Sequence, residues 1–337
     1  MSKKKLFMKN PVIWSLPTYG DLFSIINDDV MPWIYNNFIQ LEFSKLWGIF
    51  AFENHHVLLD SCPAIEHYSL AQDLILRESA ITAFILEMID MNYYILLTLD
   101  RFYLPCYEQY EKRHFYHEVF VFGYDMEMNK IYFADNLKNG RYAAGTCTFM
   151  QLESAYEAVN CKYGFEKDIH LFRRKTEYSC VINEKQIIDS LHRYLESKDS
   201  FYVNSDHECD FGIDIFHGLL SDKEKKVVSD TVDIRPFHLL YEHKVLMRMR
   251  IEYLQRNQYL SASFDTKKIM YLERQYLILR NFVMKGNIKR IIQFEKTSEM
   301  LEQNLQYEKQ ILGNFLRCLE QENSRDCGTL IGEGGRL

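Results

Sequence analysis

Proline and glycine are scarce in this chain, six and fourteen among 337 residues. Hydrophobic residues supply 47% of it and aromatic ones 15%, so a sizeable core can be buried and a disordered or linker-rich protein is excluded. Paired cysteines are also lacking, since the eight stand singly at 62, 106, 147, 161, 180, 209, 318 and 327. That scatter excludes a disulfide framework and suits a reducing compartment, so a cytoplasmic location is expected. There is no excess of positive charge. Forty basic residues face 47 acidic ones, a net charge of −7, which removes the electrostatic case for a nucleic-acid partner. Long apolar runs are missing too: Glu87, Asp90 and Asp100 interrupt the stretches from Ile81 and Tyr93 well short of a membrane span. The basic start, Lys3-Lys4-Lys5, meets Lys9, Asn10 and Pro11 before an apolar segment develops, so neither an export signal nor a membrane partner is expected. No Walker or dinucleotide fingerprint occurs, and no cofactor is expected.

What is present divides along the chain. A length of 337 residues exceeds what one core usually holds. Apolar positions recur at helical spacing from Asp21 to about Leu46, where Pro32 opens the second of two short helices. Strands are expected over Leu46–Phe52, His56–Leu59 and Tyr93–Tyr103, with a helix from Ala71 to Asp90. Thr148 and Gln151 have the spacing of a capping box, so a helix runs from there through Ala158. Ile169–Lys175 and Tyr178–Ile182 have strand character, and Glu184–Glu196 is an amphipathic helix. Beyond Arg235, apolar stripes repeat through Leu239, Leu246 and Tyr253, then Ile269, Leu272, Tyr276, Leu279 and Val283. A third stripe runs from Ile291 to Leu319, with Ser298 and Glu308 at two of its positions, and Gly286-Asn287 separates it from the second. Such stripes suit an internal bundle or a homodimer seam. The organisation expected is an α+β domain over 1–165, a smaller α/β lobe over 166–235, a three-helix extension over 236–322 and a flexible tail over 323–337.

His117 opens the apolar run His117-Glu118-Val119-Phe120-Val121-Phe122-Gly123-Tyr124-Asp125, and a second run, Lys130-Ile131-Tyr132-Phe133-Ala134, ends at Asp135. A hairpin returns the end of the second strand beside the start of the first, bringing an imidazole and a carboxylate to one rim of a sheet. A histidine oriented by an aspartate is the base half of a nucleophilic triad.

The stretch from Asp100 to Asn136, and these two runs above all, resembles the second half of papain-like cysteine enzymes of the double-glycine peptidase type. A closer likeness is to bacterial proteins related to the butirosin-pathway H acyltransferase, carried by Pro32-Trp33-Ile34-Tyr35-Asn36-Asn37-Phe38-Ile39-Gln40-Leu41 and by Asp233-Ile234-Arg235-Pro236-Phe237-His238 with the Tyr241-Glu242-His243-Lys244 that follows. The resemblance runs from about Tyr19 to Leu254. It implies an α+β papain-like body with a helical C-terminal extension. It also implies transfer of an acyl group from a carrier-bound thioester to a small amine or peptide in bacterial secondary-metabolite or peptide assembly. An acyl- or peptidyl-carrier protein is then the partner. The family pattern sets a cysteine at the start of the first helix, yet no cysteine precedes Cys62. The slot falls within Pro17–Ser24, where Thr18 or Ser24 offers a hydroxyl to His117. The alternative is a catalytically inactive relative that binds a carrier or a synthetase.

Cys106 is the fallback thiol and Cys62 a weaker one. Metal groupings of His55, His56, Cys62 and His67, or of His114, His117 and Asp135, match no established ligand spacing, so no metal is expected. Glu242-His243-Lys244 has the character of a solvated helix face. Arg235, preceding Pro236, is expected to be extended and to tie the helical part to the α/β part by a salt bridge.

Overall fold

The computed structural model describes residues 3–53, 58–71, 80–137, 140–160, 168–199, 208–216, 219, 227, 228 and 231–332. In chain order the elements are β1 (Lys3–Lys5), α1 (Pro17–Ile25), α2 (Met31–Asn37), β2 (Leu41–Ser44), β3 (Ile49–Phe52), α3 (Leu58–Ser61), β4 (Ile65–Leu70), α4 (Ile81–Asp90), β5 (Tyr94–Asp100) and β6 (Tyr116–Asp125). There follow β7 (Lys130–Asn136), β8 (Tyr142–Cys147), α5 (Phe149–Glu157), β9 (Ile169–Arg174), α6 (Glu184–Glu196), β10 (Cys209–Phe211), β11 (Val227–Val228), β12 (Thr231–Val232), α7 (Arg235–Arg256), α8 (Thr266–Lys289) and α9 (Phe294–Gly332). The fold is mixed α and β, with antiparallel sheets and a helical C-terminal region, as its α+β pattern predicts. Two compact units share the chain, Met1–Val30 with His56–Ser179 and Met31–His55 with Cys180–Leu337.

The first unit is built on an antiparallel sheet in the order β4-β9-β5-β6-β7-β8, with β1 added along the far end of β6. Ile81, Ile85 and Ile89 recur every four residues along α4 and, with Leu152 and Ala155 of α5, cover Leu97, Leu99, Val119 and Phe133 of the sheet. Burying one such side chain stabilises the fold by about 1.5–3 kcal/mol. The capping box forms as expected: the Thr148 hydroxyl accepts from the Gln151 amide at 3.1 Å, and the Thr148 amide donates to Gln151 Oε1 at 2.9 Å. β6 and β7 pair as the anticipated hairpin, with a bulge between Val121 and Gly123.

Several expectations give way to tertiary pairing. The helical period after Asp21 stops at Asn37, because Leu41–Ser44 pair with Ile49–Phe52 as a hairpin whose turn has Gly48 at φ 63°. The strand expected from Leu46 therefore begins at Ile49. Of the one expected over His56–Leu59, the first two residues lie outside the described residues and the last two begin α3. Residues 72–79 of the helix expected from Ala71 are likewise outside them. Tyr178–Ile182 is no strand. Within the second unit the Asn36 side chain substitutes for a neighbouring strand there, donating to the Val181 carbonyl at 2.8 Å and accepting from the Asn183 amide at 3.0 Å.

The second unit joins a three-stranded sheet, β10-β2-β3, to helices α6 to α9. The apolar stripes are buried within the chain itself, Leu246, Leu272, Tyr276, Leu279, Leu312 and Phe315 all at zero exposure. Gly286-Asn287 does not break the second helix, which continues to Lys289 and ends on Arg290 at φ 54°. The Gly286 carbonyl accepts from the Ile291 amide at 3.0 Å, and a Cβ on Gly286 would sit 2.9 Å from the Ile291 oxygen. The third helix runs on to Gly332, so the tail expected to be flexible from 323 is helical through that point.

Glu242-His243-Lys244 is the largest departure. All three are buried, because Lys244 Nζ lies 2.5 Å from Glu308 Oε1. Tyr194 and Tyr276 donate to the two oxygens of the same carboxylate, each at 2.5 Å. Lys244 also donates to His243 Nδ1 at 2.5 Å, while His243 Nε2 donates to the Ile39 carbonyl at 2.9 Å. Burial lowers the Lys244 pKa and the Glu308 charge opposes that shift. Arg235 is neither extended nor a tie between parts: it is the first residue of α7 and closes a local fork on Asp233, at 2.7 Å from Nη2. Among the described residues no helix is long and apolar enough to cross a membrane.

Candidate functional site

His117 is the second residue of β6 and Asp135 the sixth of β7. Phe120 stands opposite Ala134, which puts both side chains on the same face of the hairpin. His117 Nδ1 is 3.9 Å from Asp135 Oδ2, beyond hydrogen-bonding reach. Asp135 is fully buried and its Oδ2 already accepts from Arg101 Nη2 and from the Tyr107 hydroxyl, both at 2.6 Å. Its other oxygen accepts from the Asn136 amide at 2.5 Å. His117 Nδ1 lies 2.9 Å from the Glu118 carbonyl instead, so Nδ1 carries the proton. A backbone oxygen thus fixes the tautomer that the aspartate was expected to fix.

Thr18 and Ser24 both lie on α1, Thr18 half-buried in the first turn and Ser24 fully buried near the end. The Ser24 hydroxyl donates to the Asp21 carbonyl of its own helix at 2.8 Å. The residue that dominates this segment is Asp21. Its carboxyl is buried and accepts from the Tyr142 hydroxyl at 2.6 Å. Burial pushes its pKa well above the usual carboxylate range, the Tyr142 hydrogen bond opposes that, and the charges of Asp135 and Glu118 add to the rise. The Tyr142 phenol is raised in turn by burial and by Asp21. Gly20 makes this packing feasible, since a Cβ there would fall 2.3 Å from the Tyr142 ring.

Beside Asp135 a polar cavity of about 200 Å³ is lined by Arg101, Tyr107, Gln109 and Asn136, among others. The Arg101 guanidinium also lies over the Tyr107 ring, 4.4 Å from its centroid. Sequence reasoning passed over Arg101, Tyr107 and Asp21. Arg101 and Tyr107 follow β5 in a 3-10 turn and the loop after it, and nothing in their spacing announces that they converge on a carboxylate some thirty residues later.

A different histidine is held by an aspartate. His114 Nδ1 is 2.5 Å from Asp100 Oδ2, and Asp100 Oδ1 accepts from the Phe102 and Phe115 amides at 3.1 and 3.0 Å. Asp100 has no solvent exposure, so this carboxylate fastens the end of β5 to the start of β6. Of the grouping His114, His117 and Asp135, which matches no established ligand spacing, the first is therefore tied elsewhere. In the other grouping, His55 and His56 lie outside the described residues, and Cys62 is buried. His67 of β4 pairs with Asp60 of α3 at 2.6 Å and with His170 of β9 at 3.0 Å, a chain of three side chains. Burial lowers the pKa of both imidazoles, and for His170 the neighbouring His67 adds to the effect. Among the described residues no group of three or more His, Cys, Asp and Glu side chains is arranged to hold a metal ion. Cys106 packs beside Gly145 of β8.

Chemically, the cluster offers a partly exposed imidazole, a buried carboxylate held by Arg101 and Tyr107, and a polar cavity. Set against known proteins, the sequence matches no family model and no curated protein, so a functional reading has to stand on this geometry.

Proposed function

We propose that this chain is a catalytically inactive papain-like relative that binds an acyl- or peptidyl-carrier protein, or the synthetase that bears it, in the cytoplasm of a bacterium making a secondary metabolite or peptide. The observation that carries this reading is the engagement of Asp135 Oδ2 by both Arg101 and Tyr107, with His117 Nδ1 left 3.9 Å away. An aspartate so occupied does not orient the imidazole, and a hydroxyl nucleophile needs strong base assistance because so little of it ionises near neutral pH. Ser24 supports the same reading, since its hydroxyl is committed to the Asp21 carbonyl.

A second reading is acyl transfer from a thioester to an amine. It is favoured by His117, whose Nδ1 is held at the Glu118 carbonyl, as the base and by Thr18 in the first turn of α1. One experiment separates them. A thioester mimic is incubated with the wild-type chain and with His117→Ala, and carrier-protein binding is measured on both. Equal background hydrolysis with carrier bound supports the accessory role. Turnover that disappears in the variant overturns it in favour of acyl transfer.

A further inference from the structure

α8 carries six basic residues and one acidic one, in a chain of net charge −7. Its inner face is committed to the bundle, where Ile269, Leu272, Tyr276, Leu279 and Val283 are buried. Both flanks are occupied as well. On one, Arg248 of α7 binds Glu273, the carboxylate of the helix, at 2.5 Å; on the other, the Tyr307 ring of α9 meets Tyr271 with centroids 5.7 Å apart. The arc between these flanks is open. Met270, Leu277 and Met284 recur there at seven-residue spacing with Ile288 four residues on, and Met270, Met284 and Ile288 are 52%, 40% and 77% exposed. At about 100° per residue, Lys267, Arg274 and Lys285 form a second row beside that stripe, on the line opposite the buried Tyr276 and Val283. Among the described residues none of these three side chains forms an ion pair.

An apolar stripe left open beside a row of unpaired cations defines the chemistry of what covers it. A second copy does not fit. Packing α8 on α8 about a two-fold axis would join the stripes but set the cationic row of one copy against that of the other. A lipid surface does not fit either: a helix lying on one turns its apolar side chains to the lipid and its cations to the edges, whereas here the cations hold the outermost line and the stripe lies to one side. A helix of complementary pattern satisfies both rows. We propose that the outer face of α8 docks an acidic amphipathic helix of a partner protein, with apolar side chains against Met270, Leu277, Met284 and Ile288 and carboxylates against Lys267, Arg274 and Lys285. Only the identification of that partner as a carrier protein or a synthetase rests on the accessory reading above; the docking chemistry follows from the two rows.

The test titrates the full chain with a labelled, capped helical peptide of the length of α8 that carries leucines along one stripe and glutamates beside it, and with the same peptide in which every glutamate is lysine. Saturable binding of the glutamate peptide is expected, about tenfold weaker when ionic strength rises from about 0.05 M to about 0.5 M, and none of the lysine peptide. Arg274→Glu combined with Lys285→Glu, both at exposed positions, should weaken the glutamate peptide by about tenfold or more, and Ile288→Ser should weaken it with the charge unchanged. Lys112→Glu, in the other compact unit, should not. Equal affinity for the two peptides overturns the proposal, and that comparison needs no variant to fold. Full affinity of the Arg274→Glu and Lys285→Glu variant overturns it too. So does binding of phosphatidylserine vesicles, or a dimer in sedimentation, that this variant abolishes while the glutamate peptide fails to bind; those results give the face to lipid or to a second copy. The two readings also fail separately. If the glutamate peptide binds through α8 and carrier proteins do not bind, the docking face stands and the carrier-binding role falls. If the peptide fails while a carrier protein binds the wild type and the variant alike, the role stands and the face falls.

Discussion

Lys244 and Glu308 stand 2.5 Å apart with neither side chain reached by solvent, and two tyrosine hydroxyls complete the coordination of the carboxylate. Removing one partner leaves the other as an uncompensated buried charge. Lys244→Met and Glu308→Leu should each lose about 3–5 kcal/mol of stability. The double variant should lose clearly less than the two together. Urea unfolding midpoints at an unchanged slope measure the cycle, and simple additivity would show that the pair is not coupled.

His243 supplies the acid limb of stability from this cluster. Burial holds its imidazole well below the usual 6.5, helped by the charges of Lys244 and Arg250 and opposed by the Ile39 carbonyl. The folded imidazole is neutral while the unfolded one takes a proton, so the contribution is present above pH 6.5 and is lost as the pH falls. His243→Gln retains a donor for Ile39 and an acceptor for Lys244. Its stability should therefore decline less than that of the wild type between about pH 7 and about pH 5. Parallel acid limbs would sink the idea.

Asp21 works in the opposite sense. Its folded pKa is raised above 3.8, so the unfolded chain gives up the proton first and the stability present below that value is lost as pH rises. Asp21→Asn keeps the acceptor for Tyr142 and removes the titration. Relative to the wild type, the variant should gain stability between about pH 4 and about pH 8, as read from thermal midpoints. A constant difference across that range would mean that Asp21 is ionised in the folded protein.

Gly20→Ala tests the packing under the same carboxyl. Its Cβ would press 2.3 Å from the Tyr142 ring, so the ring must shift and its hydrogen bond to Asp21 must stretch. Overpacking of this kind costs about 1–3 kcal/mol. Tyr142→Ser added to Gly20→Ala should recover none of the hydrogen bond but should relieve the clash. The double variant should then be no less stable than Tyr142→Ser alone, and a further drop would place the strain elsewhere.

Local signals carried the parts of this structure that were legible. The Thr148 and Gln151 capping box, the β6–β7 hairpin and the stripes of α7, α8 and α9 each arise from residues within a few turns of one another, and each appears where its spacing puts it. Glu242-His243-Lys244 misleads for the converse reason: a charged run means a solvated face unless a partner is delivered from far along the chain, and Glu308 is that partner. Glu308 itself occupies an apolar stripe position, and that is the one trace of the network in the sequence. At the candidate site the proximity of His117 and Asp135 was legible from strand pairing. Arg101 and Tyr107, which occupy the carboxylate, were not, because a turn and a loop rather than a repeating pattern deliver them.

The backbone crosses from one unit to the other at 30/31, 55/56 and 179/180. Neither half is consequently a continuous piece of polypeptide, and no single cleavage point separates them. Deletion series that trim inward from either terminus must remove part of one unit before the other is isolated. Isolating the first unit calls instead for excision of Met31–His55 together with a stop after Ser179, the two ends rejoined by a short linker.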